Sequence, residues 1–277
     1  MNTQWTAENR LAQHAAAEGG RIAMLSTYPM NIQTKESARD IVTSMDLAIE
    51  RAIMDILSES TYPVLSEESP ADNPYSMLEE KLTWVIDPID GTANFANGLE
   101  YYGISIGLCR GLDFPVGAVC IPRLEMLYST QGHQALLNGD PIIHEHKAID
   151  ESLVGASFSG SFHDQSHRNR QYELFGALND QTRGCLRLGS TAVNICFTIS
   201  GRLQATYGLR AKIWDAAGSL AIAIAAGCKV MVAPCDDQFS VDYIVGSRDT
   251  VGMIHEMGVS RELLGKSCRV WENGCLR

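Results

Sequence analysis

Apolar residues recur three and four positions apart over residues 4–26 and again over 38–59, where Ile41, Met45, Ala48, Ile49, Ala52, Ile53 and Ile56 share one stripe. That spacing predicts two amphipathic helices, which must cover their apolar faces against each other or against a sheet. Short β-prone runs follow at 62–66, 82–87, 103–109, 115–121 and 126–131, separated by Gly, Pro and polar turns. They predict a largely antiparallel sheet. From about residue 150 the pattern changes to alternation. Strands at 152–158, 184–188, 203–207, 229–233 and 241–247 are interleaved with helices near 169–178, 190–200 and 215–227, as in an α/β layer. The segment 138–150, NGDPIIHEHKAID, divides the two patterns and predicts an N-terminal half at 1–145 and a C-terminal half at 146–277.

Composition narrows the function more than the fold. At 277 residues, 45% hydrophobic and 20% charged, the chain has the make-up of a globular protein with a sizeable core. A net charge of −11 with no basic run argues against charge-driven nucleic-acid binding. The longest apolar run, Ala216 to Ala226, is too short to span a bilayer and contains Gly218 and Ser219. The N-terminus has no basic segment followed by an apolar one, so the expected location is cytoplasmic. Eight cysteines without a CxxC pair predict reduced, mostly buried thiols and no zinc site.

Candidate chemistry concentrates where elements end. Trp84-Val85-Ile86-Asp87-Pro88-Ile89-Asp90-Gly91-Thr92 is an apolar strand that stops in two acids. Taken alone it admits both an acidic turn and a cation site, because like charges about 4 Å apart repel by roughly 4 kcal/mol at an effective dielectric near 20. Asp46 in the second helix, Glu67-Glu68-Ser69 after the run at 62–66, and Trp214-Asp215 opening an apolar helix are further acidic features. Oxygen ligands of this kind suit Mg²⁺ or Mn²⁺, and a pair of such ions serves phosphate ester cleavage. Gly91-Thr92 adds a loop able to approach an anion through its amides. Each feature also has a structural reading: Thr92 as a turn hydroxyl, Asp215 as a helix N-cap, Glu67 and Glu68 as solvated acids. No GxSxG, Walker loop, GxGxxG or HExxH is present, and Pro88 two before Asp90 removes the paired-aspartate pattern of aspartyl-phosphate enzymes.

Taken together, SEES at 66–69, WVIDPIDGTANF at 84–95, LGSTAVN at 188–194 and WDAAG at 214–218 resemble the inositol monophosphatase family of magnesium-dependent, lithium-sensitive phosphatases. The resemblance implies an α+β fold of layered αβαβα type, shared with fructose-1,6-bisphosphatase, and a homodimer. It implies two or three Mg²⁺ ions, with Glu67, Asp87 and the Ile89 carbonyl as ligands of the first and Asp87, Asp90 and Asp215 of the second. Thr92 and Asp46 resemble the dyad that activates the attacking water, and Glu68 resembles a residue that supports the site and positions a water on a more weakly held third ion. Lys35 matches a loop lysine near that ion. Gly91, Thr92, Ser190 and Thr191 resemble phosphate and substrate contacts. One departure bears on the substrate. The family's sugar-gripping acid before the WD motif falls here at Gly208 or Thr206, and Arg210 and Lys212 make this edge basic, suited to a substrate with a second negative group or simply solvated. The expected activity is hydrolysis of a small phosphorylated metabolite, inositol 1-phosphate by family default. Histidinol phosphate, 3′-phosphoadenosine 5′-phosphate and fructose 1,6-bisphosphate are alternatives, as is a regulatory protein that keeps the fold without catalysis.

Overall fold

Small residues set the first layer. Ala12, Ala15, Ala16 and Ala23 line the inner face of helix α1 (Thr6–Met24), and Ile49, Ile53 and Leu57 line that of α2 (Ser44–Leu57). In this computed structural model, which describes residues 5–25, 32–34, 41–69, 78, 81–144, 147–158, 165–237, 239–259 and 268–276, both helices pack on one face of a sheet through Trp84, Ile86, Ile104, Ile106 and Val116. Each fully buried Ile or Leu there contributes roughly 1.5–3 kcal/mol. The second helix is shorter than its periodicity predicts. Ile41, Val42 and Thr43 form strand β2 (Ile41–Thr43), paired with β1 (Ile32–Thr34), because three β-branched residues in a row favour extended backbone over a helical turn.

The first sheet runs β3 (Val64–Ser66), β4 (Thr83–Asp90), β5 (Gly103–Arg110), β6 (Asp113–Ile121), β7 (Met126–Gln131), β8 (Gln134–Leu137) and β9 (Asp140–Ile142), in that spatial order. It is antiparallel as expected, apart from the parallel β3–β4 pair. The short helix α3 (Thr92–Ala96) joins β4 to β5, and the second sheet uses β10 (Leu153–Phe158), β11 (Gly184–Leu186), β12 (Ala205–Lys212), β13 (Lys229–Pro234), β14 (Ser240–Gly246), β15 (Arg269–Glu272) and β16 (Cys275–Leu276). Its order is β11-β10-β12-β14-β13-β15-β16, with β10 parallel to both its neighbours and the rest antiparallel.

Helices α5 (Thr191–Ile199) and α6 (Ile213–Ala225) lie between the sheets, while α4 (Gln165–Gln181) and α7 (Arg248–Ile254) cover the outer face of the second. The layering is therefore αβαβα. The close approach of α6 to the first sheet depends on glycine. A Cβ at Gly107 would lie 2.8 Å from the backbone of Ala217, and one at Gly117 would collide with the carbonyl of Gly218.

Two boundaries differ from expectation. Strand β12 continues beyond residue 207 to Lys212, with a bulge between Gly208 and Ala211. Helix α6 begins at Ile213 with Lys212 as its N-cap, so Asp215 stands inside the first turn and is not the cap. Lys212 still pairs with Ser240 on β14, and the Ile213 amide donates to the Phe239 carbonyl at 2.8 Å, which keeps the chain extended to that point.

Candidate active site

Every residue of β4 is buried, so the carboxylates at its end are withdrawn from water. Pro88 cannot donate to the ladder, and the β4–β5 register shifts between Asp87 and Asp90. The Ile89 amide turns inward and donates to Asp87 Oδ1 at 2.9 Å. The parallel neighbour β3 pairs Ser66 with Ile86, and the Glu67 amide donates to the Ile86 carbonyl at 3.2 Å, which sets Glu67 beside Asp87. Asp215 arrives from the other side on α6. Carboxylate oxygens of Glu67, Asp87 and Asp215 all lie within 4.8 Å of one another.

That geometry is costly without a counter-charge. Burial, followed by the charges of Glu67, Asp215, Asp90 and Asp46, pushes the Asp87 carboxyl well above the usual carboxylate range. Asp215 is also raised, by burial, Asp90 and Glu67, against the opposing pull of Lys212 and a hydrogen bond with Asp87. A cation among these acids would offset both their burial and their mutual repulsion. Closely set, hard oxygen donors with excess negative charge fit a divalent ion such as Mg²⁺ or Mn²⁺.

Asp90 stands outside that trio. Its Oδ2 accepts the Ser190 hydroxyl at 2.6 Å and the Ala192 amide at 2.5 Å, tying the tip of β4 to the start of α5. Burial pushes its carboxyl up to about 7, against the hydrogen bonds from Ser190, Ala192 and Thr191 that pull it down. Ser190 caps α5 and also accepts the Val193 amide at 3.1 Å. Its hydroxyl is thus committed to supporting Asp90, and Thr191 at the first helical position is buried beside it.

The turn after β4 requires Gly91. Its φ of 95° is left-handed, and a Cβ there would press on the Tyr101 carbonyl at 3.1 Å and Ser190 Cβ at 3.2 Å. Thr92 Oγ1 donates to the Ile89 carbonyl at 3.1 Å, the carbonyl expected to face a metal. Asp46 is buried in the first turn of α2, close enough to Asp87 to raise it. Glu68 is half-buried beside Glu67. Lys35 lies outside the described residues. Arg210 is turned away from the expected role: Nη1 and Nη2 donate to Asp236 and Asp237, each at 2.5 Å, so this edge is not the net basic rim that the sequence predicts. The acids that hold Arg210 escaped sequence reasoning, although two adjacent aspartates one strand away from two cations are the signal that could have revealed them.

Fold and acidic cage together define a layered αβαβα phosphatase, a phosphoric monoester hydrolase. The inositol monophosphatase family model matches residues 4–258, and the chain belongs to that family. It is 32% identical over 240 residues to the inositol-1-monophosphatase SuhB of Mycobacterium tuberculosis, covering 82% of each chain. Among solved structures it resembles SaIMPase-II with inositol monophosphate bound, at 26% identity and a TM-score of 0.70, covering 94% of each chain. It also resembles an IMPase/NADP phosphatase complexed with Mg²⁺ and phosphate, at 19% identity and a TM-score of 0.72, covering 92% of this chain and 94% of the other; that likeness concerns the fold. Among the described residues, no helix is long and apolar enough to cross a membrane.

Proposed function

We propose that this protein is a Mg²⁺-dependent phosphomonoesterase acting on a small phosphorylated metabolite, with inositol 1-phosphate as the reference substrate. The observation that carries the reading is the Glu67, Asp87 and Asp215 trio, whose oxygens converge within 4.8 Å. Glu67, Asp87 and the Ile89 carbonyl would hold one ion and Asp87, Asp90 and Asp215 another, with Glu68 at the edge of the set. When bound, Mg²⁺ supplies Lewis acidity that makes water more nucleophilic and neutralises the departing alkoxide.

The chain's own residues do the rest. Asp90 is held at Oδ2 by Ser190 and Ala192, which fixes its carboxylate at the end of β4. Thr92 and Asp46 orient the attacking water, the Thr92 hydroxyl already being anchored at Ile89. The amides of Gly91 and Thr92 would face the phosphate. No residue in this set forms a covalent bond to phosphorus, so attack is direct and in line. Family likeness also supports a cytoplasmic homodimer, open to test by sedimentation. The substrate reading is tested with inositol 1-phosphate, histidinol phosphate, 3′-phosphoadenosine 5′-phosphate and fructose 1,6-bisphosphate, each with Mg²⁺ and with EDTA. Mg²⁺-dependent release of phosphate from at least one is the expected result. Failure with all of them would favour a regulatory protein on the same fold.

A further inference from the structure

The corner between β12 and α6 carries two cations that the fold treats differently. Arg210 leaves the strand in a left-handed conformation, φ 55°, at the bulge between Gly208 and Ala211. Its amide donates to Asp242 Oδ1 at 2.6 Å, and its guanidinium is divided between Asp236 and Asp237. Both charged ends are used in clasping the β13–β14 loop onto β12.

Lys212 is half-buried, and among the described residues it makes no ion pair. Its Nζ lies 5.9 Å from the ring centre of Trp214 and 5.8 Å from that of Phe239, and those rings stand 5.1 Å apart in a tilted pair. Contacts of this kind are worth about 0.5–1 kcal/mol at exposed sites, and they hold an ammonium without using up its donors. Lys212 is the N-cap of α6, and Asp215 stands in the first turn of that helix. The ammonium is near enough to pull the Asp215 carboxyl down against its burial. Asp237 also feels the Lys212 charge, but its carboxylate is already paired with Arg210.

We propose that Lys212 is a specificity-determining residue whose ammonium, seated on the Trp214 and Phe239 rings at the edge of the acidic cage, receives a second anionic group of the phosphate ester. Two sources share that chemistry, a carboxylate and a second phosphate. The inference rests on the phosphatase reading above and deepens it. Arg210, already matched by two acids, serves the fold.

The test compares kcat/KM for 3-phosphoglycerate and fructose 1,6-bisphosphate, each divided by kcat/KM for inositol 1-phosphate in the same enzyme. Lys212→Met keeps the aliphatic stem on the rings and removes the charge; at least one ratio falls about tenfold or more, through KM, as loss of a charge-assisted contact requires. Which ratio falls identifies the group. Lys212→Arg restores it, Lys212→Gln repeats the loss should Lys212→Met fold poorly, and Arg210→Met lowers the melting temperature while leaving both ratios in place. Two unchanged ratios in Lys212→Met, or no recovery in Lys212→Arg, overturn the proposal. Wild-type activity confined to inositol 1-phosphate also overturns it while the phosphatase reading stands; no activity on any of the three overturns both.

Discussion

The tip of β4 and the end of β12 both carry charged side chains, but they differ in how those charges are met. At the tip, Asp87 is surrounded by Glu67, Asp215, Asp90 and Asp46, all of its own sign. At the end of β12, Arg210 has two carboxylates and Lys212 two aromatic rings. A protein interior tolerates matched charges as structure, while a like-charged cluster is retained only when something outside the chain completes it. The first region is therefore read as the place of chemistry; in the second, Arg210 belongs to the frame and Lys212 is the charge proposed to meet the substrate.

The largest effect is expected from Asp87→Asn. Removing the carboxylate common to both proposed ion positions should cost several kcal/mol of transition-state stabilisation, about a thousandfold or more in kcat/KM, with the fold retained by circular dichroism. Substantial remaining activity would break the contrast between the two regions. A smaller loss follows from Ser190→Ala, which leaves Asp90 with the amides alone. Such supporting bonds are typically worth about 10- to 100-fold in metal affinity or activity, readable as a rise in the Mg²⁺ concentration needed for half-maximal rate. Rates and Mg²⁺ dependence equal to wild type would mean that Asp90 needs no such tether.

Gly107→Ala tests the frame. Its methyl would meet Ala217 at 2.8 Å, so α6 must shift, at a cost of about 1–3 kcal/mol, seen as a lower melting temperature. An unchanged melting temperature would show that α6 is less tightly seated than its glycine contacts imply. The pH dependence of the metal-free protein is gentler still. Asp87, Asp90 and Asp215 all titrate above their ordinary values in the fold, Asp90 near 7. Groups raised in this way stabilise the fold below the unfolded-state value and lose that contribution as pH rises through the folded one. Stability in EDTA, followed as the melting temperature, should fall between pH 5 and 8, by up to about 1.4 kcal/mol per pH unit for each group in its window. A flat or rising profile would show that the carboxylates are not set against one another.

Local pattern revealed those features whose causes are local. The helix stripes, the antiparallel first sheet and the acids at element ends could all be read because period and turn chemistry determine them. The strand at 41–43 was hidden by apolar spacing that also suits a helix; it forms by pairing with Ile32–Thr34. Arg210 was misread as part of a basic rim because its partners lie 26 and 27 residues downstream on another loop. The support that Ser190 gives Asp90 spans 100 residues and has no local signature. What the sequence could not show was how charges are paired at a distance, and that pairing separates the cage from its frame.

The most direct measurement is a calorimetric titration of the metal-free protein with Mg²⁺ near pH 8, repeated on Asp87→Asn. Saturable binding to wild type that is lost or greatly weakened in the variant is the predicted result. Equal binding by both proteins, or none by the wild type, would contradict the assignment of the buried acids as a cation cage.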